Sequence, residues 1–321
     1  MRVLMVGEAA SHRAELQSGL RQPHEIVSLP PDAAHSALFD HKISEADIVI
    51  SLRFSRKHGA APAFRLLHVP GAGLDGIDLD GLAPGTRVCN VYEHETPIAE
   101  YVLRCLLEWE ARPSRAAGAF TGTSWSDLYR RRVPHGEISG KTIGLIGHGR
   151  VGKAIARRAR ALGLRVVAVT RSIATADDDV EILPTTRLDQ LLDVSDYVVV
   201  ACPLTSHTRG MIGRQELARM KRTAILINPS RAAIVKERAL YEALAEGVIA
   251  GAFLDVWYRY PKTDSDRPPP SAYPFWELPT VWCTPHSSAW TEEVFRRRYR
   301  VIADNINRLA AGRGLRNIVP R

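Results

Sequence analysis

The stretch Gly147-His148-Gly149-Arg150-Val151-Gly152 has residue types and spacing that imply a definite chemistry. A G-x-G-x-x-G run binds a dinucleotide when it follows a strand and opens a helix. Here it follows the β-branched segment Thr142–Ile146. It precedes a pattern with Val151, Ile155, Ala159 and Leu162 on one helical face. Gly147 permits a tight turn, Gly149 lets the backbone approach a pyrophosphate, and Gly152 lets the helix pack close to the strand. Arg150 and Val151 open that helix, whose free N–H groups and dipole attract the anion. Without a ligand, the same residues are only a glycine-rich turn.

The second strand of this unit ends at Thr170-Arg171-Ser172. Enzymes built for NAD usually place Asp or Glu at this strand end, to take the ribose hydroxyls. A hydroxyl followed by a guanidinium suits a 2′-phosphate instead. The expected cofactor is therefore NADP in preference to NAD, the alternative for Arg171 being an exposed loop arginine.

These residues need a scaffold of alternating strands and helices. In the first hundred residues the strand patterns are Val3–Val6, Ile48–Ile50, Leu66–Val69 and Val88–Val91. A helix follows near Pro97, with Thr96 as the expected N-cap. A second block has strand patterns at Thr142–Ile146, Arg165–Thr170, Tyr197–Ala201, Ala224–Asn228, Ala250–Asp255 and Thr280–Thr284. Such alternation implies parallel βαβ units. A helix over Lys236–Glu246 stops at Gly247, and the last helical pattern runs from Thr291 to Leu309. The stretch Pro261 to Pro274, with its Pro268-Pro269-Pro270 run, can be neither helix nor central strand.

The chain has 321 residues, 45% hydrophobic and 24% charged, so two soluble globular domains are expected. No apolar run approaches the length that spans a bilayer, and the N-terminus reads as a strand rather than a signal peptide, so a cytoplasmic location is expected. Cys89, Cys105, Cys202 and Cys283 have no metal-binding spacing and read as small core residues; no metal is expected. The net charge of +8 is spread along the chain, apart from Arg130-Arg131-Arg132 and Arg296-Arg297-Arg298. That is a solvated surface with some pull on anions, and no nucleic-acid partner is expected.

Beyond the glycine turn, a series of segments resembles the D-isomer-specific 2-hydroxyacid dehydrogenase family in order and spacing. They are Gly71-Ala72-Gly73-Leu74-Asp75-Gly76-Ile77-Asp78, Ala99-Glu100, Ser139-Gly140-Lys141-Thr142, Cys202-Pro203-Leu204-Thr205, Thr208-Arg209-Gly210 and Met220-Lys221. Asn228-Pro229-Ser230-Arg231, Gly251-Ala252-Phe253-Leu254-Asp255-Val256 and Thr284-Pro285-His286 follow. The resemblance spans about residues 45 to 320.

The resemblance implies roles. Arg231 matches the arginine that clamps the substrate's carboxylate and carbonyl oxygen, which its planar fork suits. His286 matches the acid–base histidine, which protonates the forming alkoxide as hydride arrives. The backbone N–H groups of Ala72 and Gly73 would bind the carboxylate, and Arg53 is a further candidate for a substrate anion. Cys202, Pro203, Thr208, Asn228 and Ser230 would line the cofactor, and Asp255 would hold the nicotinamide carboxamide. The Thr170-Arg171-Ser172 strand end resembles that of glyoxylate/hydroxypyruvate reductases. One position departs: the family usually has a glutamate five residues after the aspartate of Leu-Asp-Val, to support the histidine, and here stands Tyr260. In this the chain resembles formate dehydrogenases of the same superfamily. Glu93 and Glu95 are candidate replacements for the missing carboxylate.

The implied fold is α/β, two doubly wound parallel-sheet domains. A Rossmann nucleotide-binding domain, residues 97–285, is inserted in a flavodoxin-like substrate domain, residues 1–96 and 286–321. The implied reaction is hydride transfer between NAD(P)H and a small 2-oxo acid or D-2-hydroxy acid. A homodimer is implied, with the segment near Trp125 as a candidate contact. Oxidation of a small anion such as formate is a second reading. A dinucleotide-sensing binding protein is a third, against which the retention of Arg231 and His286 argues. The aromatic residues Tyr260, Tyr273, Phe275 and Trp276 at the ends of the proline-rich stretch are expected to make it cover the cleft or a subunit boundary.

Overall fold

A computed structural model describes residues 1–56, 62–112, 120–171, 179–261 and 265–320. The chain divides into two compact units. The first comprises Met1–Glu93, Pro261–Asp266 and Trp290–Arg321; the second comprises His94–Tyr260 and Arg267–Ala289.

The first unit is built on β1 (Arg2–Val6), β2 (Glu25–Leu29), β3 (Ile48–Ile50), β4 (Leu66–His68) and β5 (Arg87–Cys89). They form one parallel sheet in the order β2-β1-β3-β4-β5. Alternate side chains of β1 enter opposite cores, as the strand's period of two requires. Val3 and Met5 pack with Tyr299, Ile302 and Ile306 of the helix Glu292–Ala310. Leu4 and Val6 pack with Phe54 and Leu67 on the other face. Thr291 caps that helix, its hydroxyl accepting from the Val294 N–H at 3.3 Å.

The second unit carries β6 (Thr142–Ile146), β7 (Arg165–Thr170), β8 (Glu181–Pro184), β9 (Tyr197–Val200), β10 (Ile225–Asn228), β11 (Gly251–Leu254) and β12 (Val281–Cys283). They form a parallel sheet in the order β12-β11-β10-β9-β6-β7-β8. The four central strands, β6, β9, β10 and β11, are buried throughout, as strands covered by helices on both faces must be. Ile143, Leu145 and Val199 face a core shared with the helix Glu95–Ala111, while Val198, Val200 and Leu226 face the opposite core with Leu217 and Leu240. The chain runs from β6 to β7 in one direction and later to β9 in the other, so the order reverses between β6 and β9.

Two details differ from the sequence patterns. β2 and β8, unmarked in the sequence, each form one edge of their sheet. They mix polar and apolar residues because one flank faces solvent, and β8 ends in Pro184. The helix expected near Pro97 begins at Glu95 with His94 as its N-cap, so Thr96 lies inside the first turn. Pro97 lacks only an N–H that the first turn leaves unused, and Ile98 makes the bond back to the His94 carbonyl at 3.2 Å. Gly247 ends the helix Glu237–Ala245 with φ 66°, as expected of a C-terminal glycine. Among the described residues no helix is long and apolar enough to cross a membrane.

Candidate active site

The glycine turn sits where the strand order of the second sheet reverses, the place where open α/β sheets bind ligands. Gly147 has φ 113°, and a Cβ there would lie 2.8 Å from the backbone of Ala201 and Cys202 at the end of β9. The turn therefore leans directly on the neighbouring strand. A Cβ on Gly152 would stand 2.2 Å from the Gly147 carbonyl oxygen, so the helix Arg150–Ala161 rests against the turn. Gly149, the helix N-cap, supplies no side-chain cap, and a Cβ on it would meet nothing within 4 Å. Open space, first-turn N–H groups and the dipole's positive end converge there, which fits a pyrophosphate. Arg150 is exposed and Val151 partly buried at the start of that helix.

Thr170 ends β7 partly buried, and Arg171 is exposed; Ser172 lies outside the described residues. Burial pushes the Cys202 thiol up to about 11, and the charge of Arg171 acts against that rise. The guanidinium thus lies within electrostatic reach of the loop after β9. That loop is internally tied: the Thr208 hydroxyl donates to the Pro203 carbonyl at 2.7 Å and accepts from the Thr205 N–H at 2.8 Å. It is joined to the loop after β10, where the Ser230 hydroxyl donates to the Cys202 carbonyl at 2.6 Å. Asn228 braces the same turn, accepting from the Ser230 N–H and donating to the Arg231 carbonyl, each at 3.1 Å. The described residues among those expected around a dinucleotide are thus gathered along one edge of one sheet.

The chemistry-bearing residues stand farther along that edge. Arg231 follows β10 and His286 follows β12, with β11 between them. Two strand spacings are about 10 Å, room for a small acid. Asp255, which follows β11, is fully buried. Its carboxylate accepts from the Thr284 hydroxyl at 2.6 Å, the Ser287 N–H at 2.8 Å and the Ser288 N–H at 2.9 Å. Asp255, the residue the family resemblance assigns to the nicotinamide carboxamide, thus has its carboxylate bonded to the loop that carries His286. The Tyr101 hydroxyl meets the Thr284 hydroxyl at 3.0 Å, and burial holds Tyr101 far above the usual phenol range. His286 itself is exposed and takes left-handed backbone, φ 59°.

The residue at the departing position touches the histidine. The Tyr260 hydroxyl lies 2.8 Å from Nδ1 of His286 and accepts from the Trp257 N–H at 3.1 Å. The Trp257 indole donates to the Thr284 carbonyl at 2.9 Å. At the position where the family has a carboxylate, a phenol hydroxyl meets Nδ1. Glu93 instead pairs with Arg297, 3.5 Å away, and Glu95 occupies the first turn of its helix, where the dipole favours it. In the proline-rich stretch, the Pro270 carbonyl accepts from the N–H groups of Tyr258 and Arg259. Tyr273 stacks on Tyr241 and Phe275 is fully buried, while Trp276 stays half exposed; residues 262–264 lie outside the described ones.

In the first unit the segment after β4 is pinned to the segment after β3. The Phe54 N–H donates to the Gly76 carbonyl at 3.0 Å, and a Cβ on Gly76 would lie 3.1 Å from Cγ of Arg53. Ala72 and Gly73 lie partly buried in this loop, the Ala72 carbonyl accepting from the Asn90 amide at 3.0 Å. Arg53 and the expected carboxylate loop are therefore neighbours.

Residues 105–288 match the family model described as D-isomer specific 2-hydroxyacid dehydrogenase, NAD binding domain. The chain belongs to the D-isomer-specific 2-hydroxyacid dehydrogenases. This dehydrogenase is 33% identical over 275 residues to a glyoxylate reductase of Korarchaeum cryptofilum, covering 83% of this chain and 80% of that protein. It is 30% identical over 295 residues to a D-3-phosphoglycerate dehydrogenase of Methanocaldococcus jannaschii, covering 87% of this chain but only 52% of that longer protein. Among solved structures, the dehydrogenase resembles D-lactate dehydrogenase with NAD+ from Lactobacillus jensenii. The TM-score is 0.76 and the identity 25%, over 100% of both chains.

Proposed function

We propose that this dehydrogenase is an NADPH-preferring reductase of a small 2-oxo acid and works as a homodimer. The observation that carries the reading is the placement of Arg231 and His286 at the ends of β10 and β12, on the edge that also carries the glycine turn. The unit built on β6 to β12 would hold the dinucleotide, and the loop of Ala72 and Gly73 would present the substrate carboxylate. Gly147, Gly149 and Gly152 would admit the pyrophosphate, with Arg150 and Val151 at the helix start. Cys202, Pro203, Thr208, Asn228 and Ser230 would line the remainder of the dinucleotide groove.

A bound, reduced nicotinamide would supply the hydride for the carbonyl carbon of the substrate. Arg231 would grip the carboxylate and polarise the carbonyl oxygen with its fork, which a point charge does less well. His286 would hold the proton that the oxygen needs. An acid–base histidine has a task in reducing a carbonyl and none in oxidising formate, so its retention on a braced loop supports the oxo-acid reading.

The cofactor preference rests on the end of β7, where Thr170 and Arg171 stand in place of an acid. A charge-assisted contact to the 2′-phosphate contributes roughly 1.5–3 kcal/mol, one to two decades of discrimination. The test is kcat/KM for NADPH and NADH at fixed salt, with glyoxylate, hydroxypyruvate, pyruvate, phenylpyruvate and formate, in wild type and Arg171→Ala. We expect reduction of at least one oxo acid, an NADPH preference of about tenfold or more, and loss of most of that preference in the variant. Equal or better use of NADH by wild type would overturn the preference. Formate oxidation without oxo-acid reduction would overturn the substrate class.

A further inference from the structure

We propose that Tyr260 is the positioning residue of His286: its uncharged hydroxyl holds Nδ1 and so presents Nε2 to the substrate oxygen. The proposal rests on the reading of His286 as the proton donor and deepens it.

The geometry is direct. Oη and Nδ1 are 2.8 Å apart, while the two rings are 5.5 Å apart and tilted by 53°, so the contact is a hydrogen bond through the ends of the side chains and not a stack. The hydroxyl is fixed from behind by the Trp257 N–H, three residues earlier in the same turn. Trp257 in turn holds the Thr284 carbonyl, two residues before the histidine. Tyr260 and His286 are thus bound to one another directly and through a short bridge of Trp257 and Thr284.

A phenol hydroxyl has one proton to give and two lone pairs. One lone pair takes the Trp257 N–H. The other accepts Nδ1–H of the charged imidazole. After Nε2 has given up its proton, the Nδ1–H bond persists unchanged. In reduction, the arriving hydride pair forms the new C–H bond and the carbonyl π pair moves onto oxygen. That oxygen takes the proton from Nε2, and solvent restores it before the next turnover. The 2-oxo acid is reduced and the dihydronicotinamide oxidised, while Nδ1–H never leaves Tyr260.

What a phenol does not supply is charge. A carboxylate at the same place favours the imidazolium by Coulomb attraction; a neutral oxygen holds the ring in position without that help. Among the described residues of this unit, titratable groups tied to the histidine's loop include Asp255 from the end of β11, joined to Ser287 and Ser288, and Tyr101 through Thr284; Arg231 stands at the end of β10. All are common to wild type and the Tyr260 variants. A change of pH profile on replacing Tyr260 therefore reports the partner on Nδ1.

The experiment compares wild type with Tyr260→Phe and Tyr260→Glu, in steady-state reduction from pH 5 to 9 and in the NMR titration of His286 in the cofactor-free protein. Tyr260→Phe keeps the ring and removes the hydroxyl; kcat should fall about tenfold or more, with KM for the oxo acid within about twofold. Tyr260→Glu should recover most of kcat and move the alkaline limb of the profile upward by about one pH unit or more, together with the titration of His286. Wild-type kcat and pH profile in Tyr260→Phe would overturn the proposal, and so would an unmoved His286 titration in Tyr260→Glu. If wild type reduces no oxo acid while the titration moves as expected, the contact is upheld and the functional reading of the site fails.

Discussion

Asp255→Asn separates a residue that holds the catalytic loop from one that holds the cofactor. The carboxylate is fully buried and accepts three hydrogen bonds, all from residues 284–288. Asparagine has nearly the same shape but keeps only one oxygen. If that oxygen retains Thr284 and Ser287, the new amide points its own donors at the Ser288 N–H. One charge-assisted bond, worth roughly 1.5–3 kcal/mol, is lost and becomes a clash of donors. The two remaining bonds become neutral, at a further cost of about 1 kcal/mol each. Burying an amide in place of a carboxylate returns part of this, because the charge no longer has to be stripped of water. A net loss of about 2–3 kcal/mol remains. For a unit of this size that is a fall in melting temperature of roughly 5–10 °C. The assay is calorimetry of the cofactor-free protein, paired with kcat and the KM for NADPH. The expected result is a lower melting temperature and a lower kcat, because the loop that carries His286 loosens. An unchanged melting temperature with a raised KM for NADPH would refute the reasoning and return Asp255 to the nicotinamide.

Three further outcomes follow from the same geometry. Arg231→Lys keeps the charge and loses the fork, so kcat/KM for the oxo acid should drop by about 2–3 kcal/mol, roughly a hundredfold; steady-state kinetics within threefold of wild type would count against the clamp. Gly152→Ala drives a methyl into the Gly147 carbonyl, 2.2 Å from where its Cβ must lie, and the turn must shift. Titration of NADPH by nicotinamide fluorescence should show affinity weakened about tenfold or more, in keeping with about 1–3 kcal/mol of overpacking, and unaltered affinity would show that the turn does not touch the dinucleotide. Trp125 and Tyr129 are each 50% exposed with their rings 5.2 Å apart, next to Phe120, an aromatic cluster suited to a dimer contact. Trp125→Arg should give a monomer in light scattering, and a wild type that is already monomeric would remove the argument.

Much of this site was legible in the sequence because its parts are local. A glycine turn between a strand and a helix needs only a few consecutive residues, and Gly147, Gly149 and Gly152 stand in the structure as their spacing implied. Arg231 and His286 are likewise each marked by a strand end. What could not be read was the meeting of residues far apart in the chain. Tyr260 reaches His286 across 26 positions, and no periodicity or spacing encodes that contact. The signal was nonetheless present, since Tyr260 occupied the position where a supporting group was wanted. The family's carboxylate directs the sequence reading to Glu93 and Glu95, whereas a hydroxyl can also serve Nδ1. The partners of the Asp255 carboxylate are not legible either, because two of the three are backbone N–H groups, which leave no mark on the sequence. The edge strands β2 and β8 escaped because a half-exposed strand carries only half the apolar pattern.

The left-handed backbone of His286 has a bearing on how such a site is kept over time. A residue with a Cβ at φ 59° costs roughly 1–2 kcal/mol relative to glycine, which adopts that conformation freely. The side chain is exposed, so replacing it leaves no cavity behind. Backbone strain alone therefore favours glycine or asparagine here, while the bond to Tyr260 and the demands of turnover favour the histidine. A lineage released from catalysis would be free to exchange this histidine for glycine, trading the bond to Tyr260 for an unstrained turn and leaving the glycine turn after β6 untouched.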